Sequence, residues 1–218
     1  MIAIIDYDAG NVKSVEKALL HLGQEAVVTR DGEKILSADG VILPGVGAFG
    51  DAMEKLRTYG LVDVIRKCVR EEIPFLGICL GLQLLFESSE ESPGVEGLHL
   101  LEGRILKIPS RKGIKVPHMG WNDLSFPNRG RLFQGLDAPG RGGAYVYFVH
   151  SYYLQSADES IVTAVTEYGV PVHASVEKGN LFACQFHPEK SSDAGMRILQ
   201  NFIGVCAEKR GAECIQRE

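Results

Sequence analysis

The sequence lacks the long apolar runs that membrane proteins need. No stretch approaches the roughly 18 consecutive apolar residues that cross a bilayer as a helix. The first residues, 1–6, are too few and lack the basic start of a signal peptide. We therefore expect no membrane partner and no signal peptide, and residues 2–5 are predicted to form a buried strand.

Cysteine pairs and basic clusters are also missing. The five cysteines are an odd number and contain no Cys-x-x-Cys pair, which argues against both a disulfide framework and a zinc site. The six histidines show no metal-ligand spacing. The net charge of −5, with no Lys/Arg-rich face, disfavours a nucleic-acid partner. We expect reduced thiols in a cytoplasmic protein that uses no metal and no cofactor.

What the sequence does contain is typical of a globular protein with a full core. Of its 218 residues, 45% are hydrophobic and 23% are charged. A chain of this length is sufficient for one large domain. We place that domain at residues 1–207, followed by a polar C-terminal tail at 208–218.

Strand and helix patterns alternate in the first part of the chain. Short apolar runs at 2–5, 26–29, 40–43 and 74–78 predict strands. Helical spacing of apolar residues separates them, and this alternation predicts an α/β fold with a mostly parallel central sheet and helices on both faces. The predicted helices are 12–22, 49–56 and 61–69. The first of them has Asn11 as its cap and Gly23 at its end.

The second half is rich in strand patterns instead. Turns between these patterns predict antiparallel strands added to one side of the sheet. A final helix follows Ser191 or Ser192, either of which could cap it. Residues 125–143, rich in Gly, Pro and Arg, are predicted to form the longest loop, and residues 117–122, with the single Trp, a shorter one. The predicted strands are 104–108, 145–149, 161–168, 170–176 and 181–186.

Cys79 lies between a strand pattern and a helical one, in Gly77-Ile78-Cys79-Leu80-Gly81. The two glycines remove side chains where the strand and the helix pass closely. This is the nucleophile-elbow pattern with Cys in place of Ser, and a thiol at the positive end of a helix is favoured as the thiolate. The alternative is a small core cysteine in a glycine-rich turn, which these residues alone do not exclude.

His187 and Glu189 offer the base and the orienting group that a cysteine nucleophile needs. Pro188, between them, keeps His187 out of the helical conformation. In an extended segment residues two apart point the same way, so the Glu189 carboxylate reaches the imidazole. A solvated turn before a helix is the alternative. With a cysteine elbow elsewhere in the chain, a Cys-His-Glu triad is the better interpretation.

The loop Gly45-Val46-Gly47-Ala48-Phe49-Gly50 allows three interpretations. Glycines on both sides of Val46 would let its backbone N–H turn toward a developing oxyanion, with Leu80 N–H as the second donor. The same letters match the G-x-G-x-x-G pattern of dinucleotide-binding proteins. That reading is weakened because the loop follows the third strand and begins with Pro44. A plain turn is the third interpretation.

Together these motifs resemble the class I, or triad-type, glutamine amidotransferases. Other loops narrow the resemblance to one subfamily, the glutaminase subunits of imidazole glycerol phosphate synthases. The resemblance runs from Ile4 to about residue 205. The segments that carry it are 77–83 and 186–189 for the class, and 6–11, 44–49, 118–122 and 148–153 for the subfamily.

The resemblance implies a reaction and a set of site residues. Cys79 would attack the side-chain amide of glutamine, His187 would move protons, and Glu189 would orient His187. The implied oxyanion hole is formed by the backbone of Val46, Gly47 and Leu80; the implied glutamine pocket by Gln83, Glu91, His150, Ser151 and Tyr152; and the implied partner interface by Asn11, Trp121 and Lys190.

The resemblance also implies a partner, a (β/α)₈-barrel cyclase subunit that receives the ammonia. Its products would be imidazole glycerol phosphate and aminoimidazole carboxamide ribotide, in histidine biosynthesis. Three rivals remain: an amidotransferase of the same class serving another synthase, a cysteine hydrolase acting on a different amide without a partner, and a nucleotide-binding module. Glutamine-dependent thioester formation at Cys79 would separate the enzymes from the binding module.

Overall fold

The structure is a computed structural model that describes residues 1–136 and 144–215. Within these ranges no helix combines the length and apolar character needed to span a membrane. The strands are Ile2–Ile5 (β1), Ala26–Thr29 (β2), Gly40–Leu43 (β3), Phe75–Ile78 (β4), Ser88–Ser89 (β5), Gly103–Lys107 (β6), His118–Asp123 (β7), Tyr145–His150 (β8), Tyr152–Ser156 (β9), Val162–Glu167 (β10), Pro171–Lys178 (β11) and Leu181–Cys184 (β12). The α-helices are Val12–His21 (α1), Gly32–Leu36 (α2), Phe49–Thr58 (α3), Leu61–Arg70 (α4), Leu80–Leu84 (α5) and Ser192–Ile215 (α6).

A seven-stranded sheet in the order β10-β11-β12-β4-β3-β1-β2 forms the centre of the molecule. The five strands from β12 to β2 pair in parallel, and β10 and β11 extend one edge antiparallel. Every residue of β1, β3, β4 and β12 is buried, as expected for apolar strands covered on both faces. The predicted fold class, a mostly parallel sheet with added antiparallel strands, is confirmed.

Helices cover both faces of this sheet. On one face α1 and α6 contribute apolar residues such as Val15, Leu19 and Phe202 to one core cluster. On the other face α2 to α5 contribute to a second cluster, with Met53 and Ile65 among its buried side chains. Gly23, predicted to end α1, has φ of 75°, which permits the left-handed turn after that helix.

Strand β12 departs from the prediction of antiparallel strands in the second half of the chain. It pairs antiparallel with β11 but parallel with β4, from Leu181 opposite Phe75 to Cys184 opposite Ile78. The hairpin turn before it specifies only the β11 pairing, and long-range packing of an apolar strand selects the other neighbour. The carboxyl ends of β4 and β12 therefore lie side by side, and Cys79 and residues 185–187 follow directly from them.

Two further predictions about strands are corrected. The segments 104–108 and 145–149 lie in small sheets of their own, β5-β6-β9 and β7-β8, instead of joining the central sheet. Most of the predicted loop 117–122 instead belongs to β7, His118–Asp123, which pairs with β8 in an antiparallel register. The glycine at 120 suggested a loop, but its φ of 136° is accommodated within the strand.

The remaining differences concern helix ends and loops. Asn11 does not cap α1 with its side chain. Helix α6 continues past residue 207 to Ile215, and the proposed division into a 1–207 domain and a 208–218 tail stays a prediction, with 216–218 outside the described residues. Part of the predicted loop 125–143, residues 137–143, also lies outside them. Helix α2 lies in a segment for which the sequence pattern predicted no element.

Candidate active site

Cys79 occupies a strained corner between β4 and α5. Its backbone has φ 56° and ψ −106°, a conformation that non-glycine residues rarely adopt. The Cys79 N–H donates to the Cys184 carbonyl at 2.7 Å, which ties the corner to the end of β12. A Cβ on Gly77 would lie 2.8 Å from the Gly81 carbonyl oxygen, and one on Gly81 only 1.9 Å from the Leu43 oxygen. The close approach predicted for both glycines is therefore present.

His187 and Glu189 meet at the end of β12. His187 Nδ1 lies 2.8 Å from Glu189 Oε1, and both side chains are fully buried. The segment that joins them is a 3₁₀ turn, Pro188–Lys190, and not the extended segment that was predicted. The turn is closed by the Lys190 N–H, which donates to the His187 carbonyl at 3.0 Å. The Glu189 carboxylate thus reaches the His187 imidazole because the chain turns between them, and not because an extended chain points both side chains the same way.

Asn11 joins this pair from the turn after β1. Its Nδ2 donates to Glu189 Oε1 at 2.5 Å and lies 3.3 Å from His187 Nδ1. Asn11 has φ of 75°, a left-handed conformation that asparagine tolerates. This bond explains why the side chain is unavailable to cap α1, since one amide cannot serve both positions.

The electrostatic environment keeps His187 protonated. Burial lowers the pKa of His187, but the interactions with Cys79 and with Glu189 outweigh it and raise the pKa to about 9. Because Nδ1 contacts Glu189, the ring atom left to face the thiol is Nε2, which is buried and has no hydrogen-bond partner among the described residues. An imidazolium here can donate its Nε2 proton to a group that leaves from the sulfur side.

The Gly45–Gly47 loop lies against the elbow with its first carbonyl facing Leu80. Leu80 N–H donates to the Gly45 carbonyl at 3.3 Å. In a trans peptide the N–H points opposite to the C=O, so the Val46 N–H is directed away from this position. The two predicted oxyanion donors, Val46 N–H and Leu80 N–H, are therefore not brought together. Gly47 has φ of 115°, which suits a glycine.

A cleft of about 330 Å³ opens above Cys79. Its volume falls in the usual range for small-molecule sites. It is lined by every residue predicted for the oxyanion hole and the glutamine pocket, together with Pro117 and Val149, to which no role was assigned from the sequence. The residues predicted for the site that line it are Val46, Gly47, Cys79, Leu80, Gln83, Glu91, His150, Ser151 and Tyr152.

Two polar residues of the cleft have their atoms fixed by the protein itself. Glu91 Oε2 accepts from Phe49 N–H at 2.8 Å, at the start of α3. His150 Nδ1 lies 2.9 Å from the Tyr152 carbonyl, and its Nε2 lies 3.0 Å from His118 Nδ1. Burial lowers the pKa of His150 to about 3 and that of His118 to about 4. Both rings are therefore neutral, with His150 donating to the Tyr152 carbonyl and accepting from His118.

The chain matches a known protein family over nearly its whole length. A family model described as glutamine amidotransferase class-I matches residues 3–205. The chain belongs to the class I glutamine amidotransferase family. Solved structures agree with this fold: "Crystal structure of glutamine amidotransferase" has a TM-score of 0.73 at 24% identity, covering 95% of this chain and 100% of that one. "Structure of PurLQS from Thermotoga maritima" has a TM-score of 0.69 at 21% identity, covering 93% and 97%.

Curated relatives of this amidotransferase are more similar in sequence. "Imidazole glycerol phosphate synthase subunit HisH" from Moorella thermoacetica is 55% identical over 201 residues, 92% of this chain and 93% of that protein. The protein of the same name from Bacillus cereus is 54% identical over 205 residues, 94% and 95% of the two chains. The class I resemblance predicted from the motifs is confirmed.

The residues predicted to contact a partner lie outside the cleft of this amidotransferase. Trp121 is 53% exposed on β7, beside the exposed side chains of Met119 and Tyr145. Lys190 is exposed at the 3₁₀ turn after His187, and Asn11 is half-buried. Trp121 packs edge-on against Tyr147 with ring centroids 6.3 Å apart. The β7-β8 sheet thus presents an aromatic and apolar outer surface.

Sequence reasoning assigned no role to Gln185, which lies next to the amidotransferase nucleophile. Its Nε2 is 3.6 Å from Cys79 Sγ, and its side chain is fully buried. Gln83 is placed by the same residue, since Gln83 Nε2 donates to Gln185 Oε1 at 3.0 Å. The position of Gln185, two residues before a predicted catalytic histidine, was the only available signal.

The stability of this amidotransferase is expected to depend on pH through His187. A folded-state pKa of about 9, above the unfolded value of 6.5, means that protonation stabilises the folded state. This stabilisation is complete below about pH 6.5 and is lost as pH rises through about 9. The wild type should have a higher unfolding free energy than His187→Gln by an amount that depends on pH. This difference should be at least about 1 kcal/mol larger near pH 6 than near pH 10. A difference that stays constant or widens with pH would contradict this expectation.

Proposed function

We propose that this amidotransferase is the glutaminase subunit of an imidazole glycerol phosphate synthase. It hydrolyses glutamine to glutamate and ammonia, and the ammonia passes to a cyclase subunit in histidine biosynthesis. The observation that carries the proposal is Cys79 at a strained elbow beside the buried His187–Glu189 pair, at the base of a cleft of substrate size. Relatives named as this subunit are more than 50% identical over nearly the whole of both chains.

The proposed reaction proceeds through a thioester on Cys79. The sulfur attacks the side-chain amide carbon of glutamine, and His187 gives a proton to the departing nitrogen so that ammonia leaves. Water then attacks the thioester carbon, His187 takes a proton from that water, and the C–S bond breaks to release glutamate and the free thiol. Glu189 holds His187 in the required orientation throughout, as the third member of a triad.

Binding of glutamine is assigned to the polar rim of the cleft. Gln83, Glu91 and the segment 150–152 all line it, and Gln83 Nε2 donates to the Tyr152 carbonyl at 3.0 Å. The Glu91 carboxylate supplies negative charge that suits the α-ammonium group of the substrate. The neutral His150 fixes the backbone at Tyr152 through the bond to its carbonyl. These assignments account for a preference for a small, polar, zwitterionic substrate.

The oxyanion loop is proposed to rest in an unproductive state. The Gly45 carbonyl, and not the Val46 N–H, faces the Leu80 N–H. A tetrahedral oxyanion would therefore find the Leu80 N–H already bonded and the Val46 N–H pointing away. Rotating the Gly45–Val46 peptide would exchange carbonyl for N–H and would free Leu80. We hypothesise that the partner and its ligand favour the rotated state.

A cyclase subunit of the (β/α)₈-barrel type is the proposed partner, in a cytoplasmic heterodimer. Free ammonia protonates and diffuses away in water, so a site that produces it benefits from docking onto a channel. The exposed Trp121, Met119 and Tyr145 give the β7-β8 surface the aromatic character of interface centres. Asn11 and Lys190 lie where the chain turns beside the triad, and docking there would act on Glu189 through Asn11.

The function is tested by co-purification with the cyclase followed by a glutamine-dependent synthase assay. We expect the two chains to form a stable heterodimer. Glutamate release should rise by at least about tenfold when the cyclase has bound its ligand, the ribulosyl intermediate that the ammonia would attack. Equal glutaminase turnover with and without the loaded partner would refute the loop hypothesis. Glutamine hydrolysis without any complex would favour a hydrolase that acts alone.

Replacing Trp121 by alanine is expected to weaken the heterodimer. An exposed tryptophan at the centre of an interface is typically worth about 2 kcal/mol, or roughly 30-fold in affinity. Titration calorimetry of the isolated subunits measures the change. Leu20→Ala is the matched control, because Leu20 is 56% exposed but lies near the end of α1, whereas Asn11, which contacts the triad, precedes the start of that helix. Equal affinities for both variants would place the interface elsewhere.

A further inference from the structure

The nucleophilic sulfur has a second polar neighbour besides His187. Gln185 follows directly after β12, and its side chain is fully buried. Its Nε2 lies 3.6 Å from Cys79 Sγ, within hydrogen-bonding distance for a sulfur acceptor. Gln185 N–H donates to the Ala174 carbonyl at 2.8 Å, so the backbone of this residue is held by β11. One strand end thus delivers both Gln185 and His187 to the site.

The orientation of this amide is fixed by a chain of hydrogen bonds that ends on a backbone carbonyl. The Tyr152 carbonyl can only accept, so the Gln83 atom 3.0 Å from it must be the nitrogen. The same Gln83 nitrogen lies 3.0 Å from the other side-chain amide, which must therefore present its oxygen. The remaining end of Gln185, which faces the sulfur, is then its NH₂ group. Exchanging oxygen and nitrogen in either side chain would place two acceptors or two donors against each other.

A donor aimed at sulfur distinguishes between the forms of Cys79. A thiolate accepts a charge-assisted hydrogen bond, whereas a neutral thiol accepts only a weak one. The NH₂ group of Gln185 therefore stabilises the nucleophilic form relative to the neutral thiol. The bond also restricts the direction of the sulfur at a corner where the backbone is already strained.

We propose that Gln185 is a further residue of the catalytic apparatus, which holds the Cys79 sulfur in its reactive form and at the same time orients the Gln83 amide toward the cleft. Both N–H groups of Gln83 are used, one on Tyr152 and one on Gln185. Its carbonyl oxygen is thus left to accept from a bound substrate. The inference rests on the proposed function, since it assumes that Cys79 is the nucleophile.

The test measures the reactivity of the sulfur directly. Full-length wild type and Gln185→Met, a replacement of similar size without donors, are treated with iodoacetamide, whose iodide the sulfur displaces. Mass spectrometry of peptides then follows labelling at Cys79. We expect labelling of the Met variant to be about tenfold slower near neutral pH. The ratio of the two rates should approach one as pH rises, because the sulfur is then a thiolate in both proteins.

The pH dependence of that ratio separates this role from a merely structural one. A buried amide that only supported the fold would change labelling by a similar factor at every pH. Ser175→Ala is the matched control: Ser175 is fully buried, lies opposite Cys184 on β11 and donates to the Ala183 carbonyl at 2.7 Å. It should lose a buried hydrogen bond and keep wild-type labelling.

Two outcomes would overturn the proposal, and one would overturn the proposed function instead. If Gln185→Met folds and its Cys79 is labelled at the wild-type rate across the pH range, the Gln185 donor has no role in the reactivity of the sulfur. If that variant does not fold, Gln185→Glu replaces it. Glu keeps the size, and its carboxylate would oppose a thiolate, so labelling that is not slowed also overturns the proposal. Wild-type protein in which Cys79 is no more reactive than an ordinary thiol refutes the nucleophile itself.

Discussion

Replacing Cys79 by alanine should reduce glutamine hydrolysis to background, a loss of at least about 10⁴-fold in kcat. Removal of the sulfur removes the only described thiol that lines the cleft, and no thioester can form. Water positioned by His187 alone would have to attack an unactivated amide. Glutamate release in the presence of the cyclase and its ligand measures the effect, with Cys79→Ser as a second variant.

The control for this experiment is another buried cysteine. Cys68 is buried in α4 and does not line the cleft, so Cys68→Ala should keep its activity. Folding of Cys79→Ala is checked by its melting temperature, and docking by co-purification with the cyclase. Loss of hydrolysis with folding and docking intact is required, and retained hydrolysis would refute the assignment of the nucleophile.

Gly81→Ala is expected to destabilise the fold by about 3 kcal/mol or more. The added Cβ would lie 1.9 Å from the Leu43 carbonyl oxygen and 2.9 Å from its carbon. Both are backbone atoms at the end of β3, in the middle of the central sheet, and cannot move aside as a side chain would. The start of α5 would be pushed away from the sheet, and Cys79 with it. Thermal unfolding should show a fall of roughly 10 °C in melting temperature.

A second glycine supplies the comparison for this substitution. Gly204 lies in α6 with no atom within 4 Å of the position that a Cβ would take. Gly204→Ala should therefore be neutral or stabilise by up to about 1 kcal/mol, because alanine favours the helix. A Gly81→Ala protein that melts with wild type would show that the elbow relaxes more easily than its geometry implies.

Features of the site that depend on local spacing were predictable from the sequence. The elbow follows from glycines two residues before and after Cys79, since only small residues fit where a strand turns directly into a helix. His187 and Glu189 were recognised as a pair because the proline between them limits the backbone. The turn that brings them together was not predicted, since a 3₁₀ turn and an extended segment share the same signals there.

Features that depend on contacts between distant residues were not predictable. Asn11 has the local preference of a helix cap, but its amide binds Glu189, 178 residues away along the chain. The parallel pairing of β12 with β4 leaves no local mark, although it decides that Cys79 and Gln185 become neighbours. Gln185 lies at the end of an apolar run, and only the fold reveals that its amide points at sulfur. β7 was mistaken for a loop because its glycine indicates a loop, and the pairing with β8 is not visible in the local sequence.

The bond between the Gly45 carbonyl and the Leu80 N–H bears on how the enzyme responds to its substrate. The carbonyl is an intramolecular ligand, attached by a few covalent bonds, so its local concentration does not change with that of glutamine. In the proposed mechanism, higher glutamine levels would fill the cleft without rotating the Gly45–Val46 peptide. The free subunit would therefore be saturable with glutamine and still hydrolyse it slowly. Glutamine consumption in a glutamine-rich cell would then follow the supply of the cyclase ligand that accepts the ammonia.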